Sequence, residues 1–219
     1  MGSTLPILAL GTVTFPGMAM SLHVFEDRYL GLISQLLSLP EPERVFATVA
    51  IREGHEVGSE SVKSVHRVGC ELRLRRVEEV DDGLDVTAEA TRRIRLDTVI
   101  DSSSHLWADV TYLPEEDGAD AADAATRAHA IFAAYIDLLA SAGATIGAVE
   151  VPAEPLPMSY ALSAGTVLTP RDRQGLLGAP DAATRLRQVS RLIVAEMSAI
   201  RVVPSLPATD LNRAGWSPN

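Results

Sequence analysis

Of the 19 cationic residues in this sequence only Lys63 is a lysine, so chemistry that depends on a lysine amine has one position open to it. A phosphate-binding loop of the G-x-x-x-x-G-K-[ST] type needs successive backbone N–H groups and a lysine to hold the phosphates. Val62 precedes Lys63 and the pattern is absent. His23, His55, His66, His105 and His129 are dispersed, without the H-E-x-x-H, H-x-H or C-x-x-C spacing that gathers ligands around one ion. Neither a metal nor another cofactor is expected. Cys70 alternates with leucines and reads as a small buried apolar group, not a nucleophile. Glu26 and Asp27 are adjacent carboxylates, but acidic residues at a helix start are explained by the unpaired N–H groups there. No catalytic residue is assigned, and the chain reads as a binding protein and not an enzyme.

Two sets of residues could carry binding. Phe15, Met18, Met20, Phe25 and Tyr29 are clustered in sequence, and methionine is flexible and polarisable enough to adapt to varied apolar partners, as a receptor of unfolded polypeptides requires. The competing reading is packing, because strand alternation sends half of these side chains inward, with Phe25 and Met20 the first assigned to the core. The second set is Arg73, Arg75, Arg93 and Arg95, which could line the wet face of neighbouring strands and contact RNA. The competing reading there is a solvated face with partners such as Glu71 and Asp97.

Composition bears on both. The net charge of −10 gives a mean field that repels phosphates, so nucleic-acid binding is disfavoured as a partner class. With 219 residues and 47% hydrophobic content the chain can bury a core without staples. A single cysteine excludes an internal disulfide, and no secretory leader is evident, so a cytoplasmic protein is expected. Pro6, Gly11, Pro16 and Gly17 interrupt the apolar start, and no run reaches the roughly 18 residues of a membrane span.

The elements that must position these residues follow from periodicity. Leu5–Leu10 is a strand, Phe15-Pro16-Gly17 a turn with glycine at the position of positive φ, and Met18–Phe25 a second strand. A helix then opens at Glu26 and Asp27, with Leu30, Ile33 and Leu37 as its apolar face. Val45–Ile51 is the next strand, followed by a loop around Gly54–Glu60. Cys70, Leu72 and Leu74 alternate with Glu71, Arg73 and Arg75, the pattern of a strand with one wet face. Asp81-Asp82-Gly83 turns it into Leu84–Ala90; Arg92–Ile100 and His105–Tyr112 complete the strands. The acidic stretch Glu115–Asp123 marks a boundary. Beyond it Ala128, Ile131, Tyr135, Leu138 and Leu139 form a helical face ended by Gly143. Residues 151–157 read as an extended proline linker, residues 158–167 as a short helix, and Thr169-Pro170 and Pro180-Asp181 as helix starts. The last helix carries Leu186, Val189, Ile193, Met197 and Ile200.

Three blocks carry a family resemblance. Leu5-Pro6-Ile7-Leu8, then Phe15-Pro16-Gly17, then Leu22-His23-Val24-Phe25-Glu26-Asp27-Arg28-Tyr29 resembles the opening of the N-terminal, substrate-binding domain family of Lon proteases. Val68-Gly69-Cys70 with Arg92-Arg93-Ile94 is similar to its central hairpin, although Ala90 stands where members often have glycine. Arg173-Gln174-Gly175-Leu176-Leu177, Arg185-Leu186 and Glu196 look like its helical part. The resemblance implies an α+β fold, a PUA-like β pseudo-barrel over residues 1–114 with one inserted helix, a helical subdomain over 115–204, and a flexible tail over 205–219. It also implies recognition of polypeptide substrates, as an adaptor or accessory to a proteolytic system. The P-K-D-G-P-S-A-G segment that carries the Ser–Lys peptidase in full-length members is absent.

Overall fold

A computed structural model of the chain describes residues 3–54, 62–101, 105–144 and 150–202. Residues 1–114 and 115–219 form two compact units. The Gly54–Glu60 loop, all but its first residue, and the tail over 205–219 lie outside the described residues, as does His55.

The first unit runs β1 (Ser3–Leu10), β2 (Ala19–Val24), α1 (Asp27–Leu37), β3 (Val45–Gly54), β4 (Val62–Val65), β5 (Val68–Val80), β6 (Gly83–Asp101) and β7 (Leu106–Tyr112). The strands follow the order β1-β7-β6-β5-β3, and a parallel pairing of β1 with β3, Ile7 opposite Ala47 through Leu10 opposite Ala50, closes the ring. All other pairings are antiparallel. The expected pseudo-barrel is therefore present. Its interior is a cluster of Leu5, Ile7, Ala9, Ala47, Val49, Ile94, Leu96, Ala108 and Val110, branched and small residues that fill a small barrel.

Closure buries both faces of the central strands. Phe46 and Thr48 pair with Leu72 and Cys70 on the face opposite the lumen, and all four are buried. The segment before β2 covers them, with Cys70 Sγ donating to Thr14 O at 3.3 Å and the Thr14 and Thr48 hydroxyls 2.9 Å apart. The face read as wet is thus wet only in part. Glu71 is 2% exposed and takes hydrogen bonds from Tyr112 Oη at 2.6 Å, Thr91 Oγ1 at 2.8 Å and Arg92 Nε at 3.2 Å.

Leu84–Ala90 and Arg92–Ile100 belong to one strand, β6, which bulges at Thr91 and at Asp97. A bulge inserts one residue and reverses the faces beyond it. Arg92 comes opposite Glu71, and Arg93 turns inward. In α1 the buried stripe is Leu32, Ile33 and Leu36, one position round from the Leu30, Ile33, Leu37 face expected; Leu37 is 41% exposed.

The second unit contains α2 (Ala121–Ser141), α3 (Pro155–Gly165), α4 (Pro170–Leu177) and α5 (Ala182–Val202). The proline linker is shorter than the sequence suggested. Pro155 and Pro157 occupy the first turn of α3, where a missing N–H costs nothing and the fixed φ suits the helix. Thr169 caps α4, its Oγ1 accepting from Asp172 N at 3.2 Å, and Asp181 caps α5 through Thr184 N at 2.7 Å. Such caps contribute about 1 kcal/mol each. Gly143 has φ +90° and follows the end of α2, the left-handed conformation that glycine adopts without penalty. The core is stapled by Arg185, fully buried, which donates to Leu176 O, Ser159 Oγ and Ala179 O and lies 4.1 Å from the Tyr160 ring centre.

Candidate functional site

The long hairpin β5–β6 extends past the barrel, and β2 pairs with its β6 strand from Ala19 opposite Glu89 to Val24 opposite Leu84. The result is a three-stranded blade, β2-β6-β5. Its entry is the turn Phe15–Met18, where Gly17 has φ +86° and Met18 N donates to Phe15 O at 3.1 Å. That is a type II turn with glycine at its third position. At the tip, Gly83 lies against the chain after β2, and a Cβ there would sit 2.3 Å from Val24 O.

The five residues proposed for polypeptide contact separate on this frame. Phe15 is 0% exposed and belongs to the core; the turn that presents Gly17 to solvent folds the ring inward. Phe15 is therefore removed from the contact surface. Met18 is half-buried, its Sδ held 3.2 Å from Phe15 N. Met20 is half-buried on the same blade face as Leu22 and Val24. Phe25, assigned first to the core by alternation, is 51% exposed: the strand ends at Val24, and the ring stacks on His23 with centroids 5.9 Å apart. Tyr29 is half-buried beneath the Arg28 guanidinium, 4.5 Å from its ring centre.

Sequence reasoning missed a cavity of about 550 Å³ between the end of α1 and the blade, lined by Ser34, Leu37, Arg44, Leu74, Val77 and Leu84 among others. Of these, Leu37 is 41% exposed. Its signal in sequence was weak: Leu37 and Leu74 read as ordinary members of a helix face and a strand.

The arginines do not form a free cationic stripe. Arg93 is 2% exposed and donates to Pro114 O at 2.8 Å, so its place on a wet face is corrected by the Thr91 bulge. Arg75 binds Glu89 at 2.9 and 2.5 Å, and Arg95 binds Asp97 at 3.1 Å. Arg73 is half-buried, with no partner for Nε among the described residues.

Electrostatics at the blade tip centre on His23. Its Nδ1 lies 2.9 Å from Asp85 and its Nε2 3.4 Å from Asp82; the Asp85 hydrogen bond, with the charges of both aspartates, raises its pKa above the usual histidine value. Burial and the hydrogen-bond donors around Glu71 oppose each other, and the donors Tyr112, Arg92 and Thr91 win, holding its carboxyl below the usual range. Among the described residues no group of three or more His, Cys, Asp or Glu side chains is placed to hold a metal ion, and no helix is long and apolar enough to cross a membrane.

A small closed barrel carrying a three-stranded blade, followed by a helical unit, defines a protein of the α+β class. The chain belongs to the family of the ATP-dependent protease La (LON) substrate-binding domain, whose sequence model matches residues 4–195. That domain is non-catalytic. Among solved structures the chain is similar to a Lon N-terminal domain protein from Xanthomonas campestris, with 20% identity, 85% of this chain and 96% of that one covered, and a TM-score of 0.61. It is also similar to the N-terminal domain of a Mycobacterium avium complex Lon protease, with 17% identity, 90% and 98% coverage, and a TM-score of 0.58. At such identities these structures speak to the fold alone. Comparison with curated proteins gave no match.

Proposed function

We propose that this chain is a cytoplasmic recogniser of unfolded or partner polypeptides that serves as an adaptor or accessory to a proteolytic system. Membership in a substrate-binding domain family supports a polypeptide-binding role. The observation that carries the finer reading is the blade, where Phe25 is 51% exposed at the end of β2, half-buried Met20 and Leu22 lie along the strand, and a cavity of about 550 Å³ lined by both apolar and charged side chains opens on the α1 side. Exposed apolar groups on a rigid sheet and an adaptable methionine suit varied apolar sequences. The contact set after correction is Met18, Met20, Phe25 and Tyr29, with Leu22 and Leu37 added.

Fluorescence anisotropy with a labelled unfolded polypeptide and a structured RNA, each at low and high salt, tests it. Polypeptide binding that changes little with salt supports apolar capture. RNA binding that weakens steeply with salt, through counterion release, would replace it. Absence of polypeptide binding at both salt levels refutes it.

A further inference from the structure

The blade has two open edges, and they are built differently. Beyond Arg73 the strand β5 has lost β3 as a partner, and its open edge carries Arg75, Arg76, Glu78 and Glu79, with a bulge between Leu74 and Arg76. Charges and bulges are the devices by which sheets keep other strands from pairing with an edge. The outer edge of β2 has neither. Its six residues, Ala19-Met20-Ser21-Leu22-His23-Val24, carry no Asp, Glu, Lys, Arg or Pro, and among the described residues β2 pairs with β6 alone.

The backbone groups that face outward can be named. Ala90 N donates to Met18 O at 2.9 Å, and in an antiparallel pair bonded and non-bonded residues alternate. In the register that follows, Met20, Leu22 and Val24 exchange bonds with Ala88, Val86 and Leu84. The N–H and C=O groups of Ala19, Ser21 and His23 therefore point away from the blade. Side chains alternate with the same period: Met20 and Leu22 lie half-buried on one face, while Ser21 and His23 are exposed on the other. That second face is acidic. Asp82 and Asp85 flank His23, and Asp81 is exposed at the tip.

We propose that the β2 edge binds an extended polypeptide segment as an added strand, one with apolar side chains at alternate positions and Lys or Arg between them. This rests on the polypeptide-binding reading above and specifies its mode. The added strand bonds to the backbone of Ala19, Ser21 and His23, covers Met20 and Leu22 with its apolar side, and sets its basic side along Asp82 and Asp85. Such recognition is indifferent to exact sequence and selects for extension, alternation and charge sign.

The test uses the full chain and a fluorescein-labelled eight-residue peptide of alternating valine and lysine. Two further peptides are N-methylated on one or the other alternate set of residues, and a fourth has glutamate for lysine. The expected result is that one methylated set loses binding about tenfold or more, the other set binds like the parent, and the glutamate peptide is weakened. Ser21→Pro removes an outward N–H without touching a β2–β6 bond, a place where edge strands tolerate proline, and is expected to weaken the parent peptide to the same degree. Should both methylated sets bind like the parent, the edge is not the site, whatever the state of Ser21→Pro, and capture of an unfolded polypeptide by the same chain would still support the broader reading. Failure of both the peptide and the unfolded polypeptide to bind overturns both. A dimer that Ser21→Pro converts to monomer, without peptide binding, would mean that β2 pairs with a second copy and would overturn the proposal.

Discussion

Phe15 and Phe25 lie ten positions apart on either side of β2 and have opposite surroundings, which makes their alanine variants a direct separation of packing from contact. Phe15 is 0% exposed, so truncation removes a fully buried ring and leaves a cavity. The expected cost is about 3–5 kcal/mol, which at roughly 2–4 °C per kcal/mol for a chain of this size lowers Tm by about 6–20 °C. Phe25 is 51% exposed and touches His23 through a ring stack, so its truncation should cost about 1 kcal/mol or less. Urea unfolding followed by circular dichroism gives the stabilities, and anisotropy with the unfolded polypeptide gives the affinities at a temperature where both variants are folded. Phe25→Ala should weaken binding with little change in stability; Phe15→Ala should do the reverse. A stable Phe15→Ala that has lost binding, or a Phe25→Ala that binds normally, would refute the assignment of the two rings.

Glu71→Ala should destabilise the barrel unit by about 2 kcal/mol, since it leaves the part-buried Tyr112 and Thr91 hydroxyls without their acceptor while the half-exposed Arg92 guanidinium can turn to water; Tyr112→Phe, which removes one donor, should cost less, and a double-mutant cycle should show coupling between the two. Because the folded Glu71 pKa is depressed, its contribution is present above the unfolded carboxyl pKa and is lost as pH falls through the folded value, so the acid limb of stability should flatten in Glu71→Gln. The His23 pKa is raised, chiefly by its hydrogen bond to Asp85; its contribution is complete below the unfolded value and is lost as pH rises through the folded one. NMR titration should find it above a free histidine and find Asp85→Asn lowering it. Gly69→Ala would push a Cβ to 2.1 Å from Thr48 O and 2.6 Å from Val49 Cγ1, forcing β3 from β5 at a cost of about 2–3 kcal/mol; Gly31→Ala in α1, with nothing within 4 Å, should gain about 0.5–1 kcal/mol, and equal Tm values for the two would contradict the packing described.

The candidate site was only half legible. The Phe15-Pro16-Gly17 turn, the Asp82-Gly83 tip and the caps at Thr169 and Asp181 are local, each set by what one or two residues can do with backbone angles or an unpaired N–H. The blade's open edge was not legible. Whether a strand has a second neighbour depends on residues far away in sequence, and β2 owes its place to β6, more than sixty positions later.

Sequence alone determined the class of fold, the absence of a phosphate-loop motif, the strand and helix pattern, and the small number of places where the chain turns. It divided each strand into two faces but did not say which face meets water, since alternation with period 2 is symmetrical with respect to that choice. Tertiary structure decided it. Closing β1 onto β3 made a lumen that takes in Glu71, the segment before β2 buried the opposite face with Cys70 and Phe15, and one extra residue at Thr91 exchanged the roles of Arg92 and Arg93. The physical reason is that burial is a property of what covers a side chain, and in a closed barrel the cover comes from the far end of the sequence.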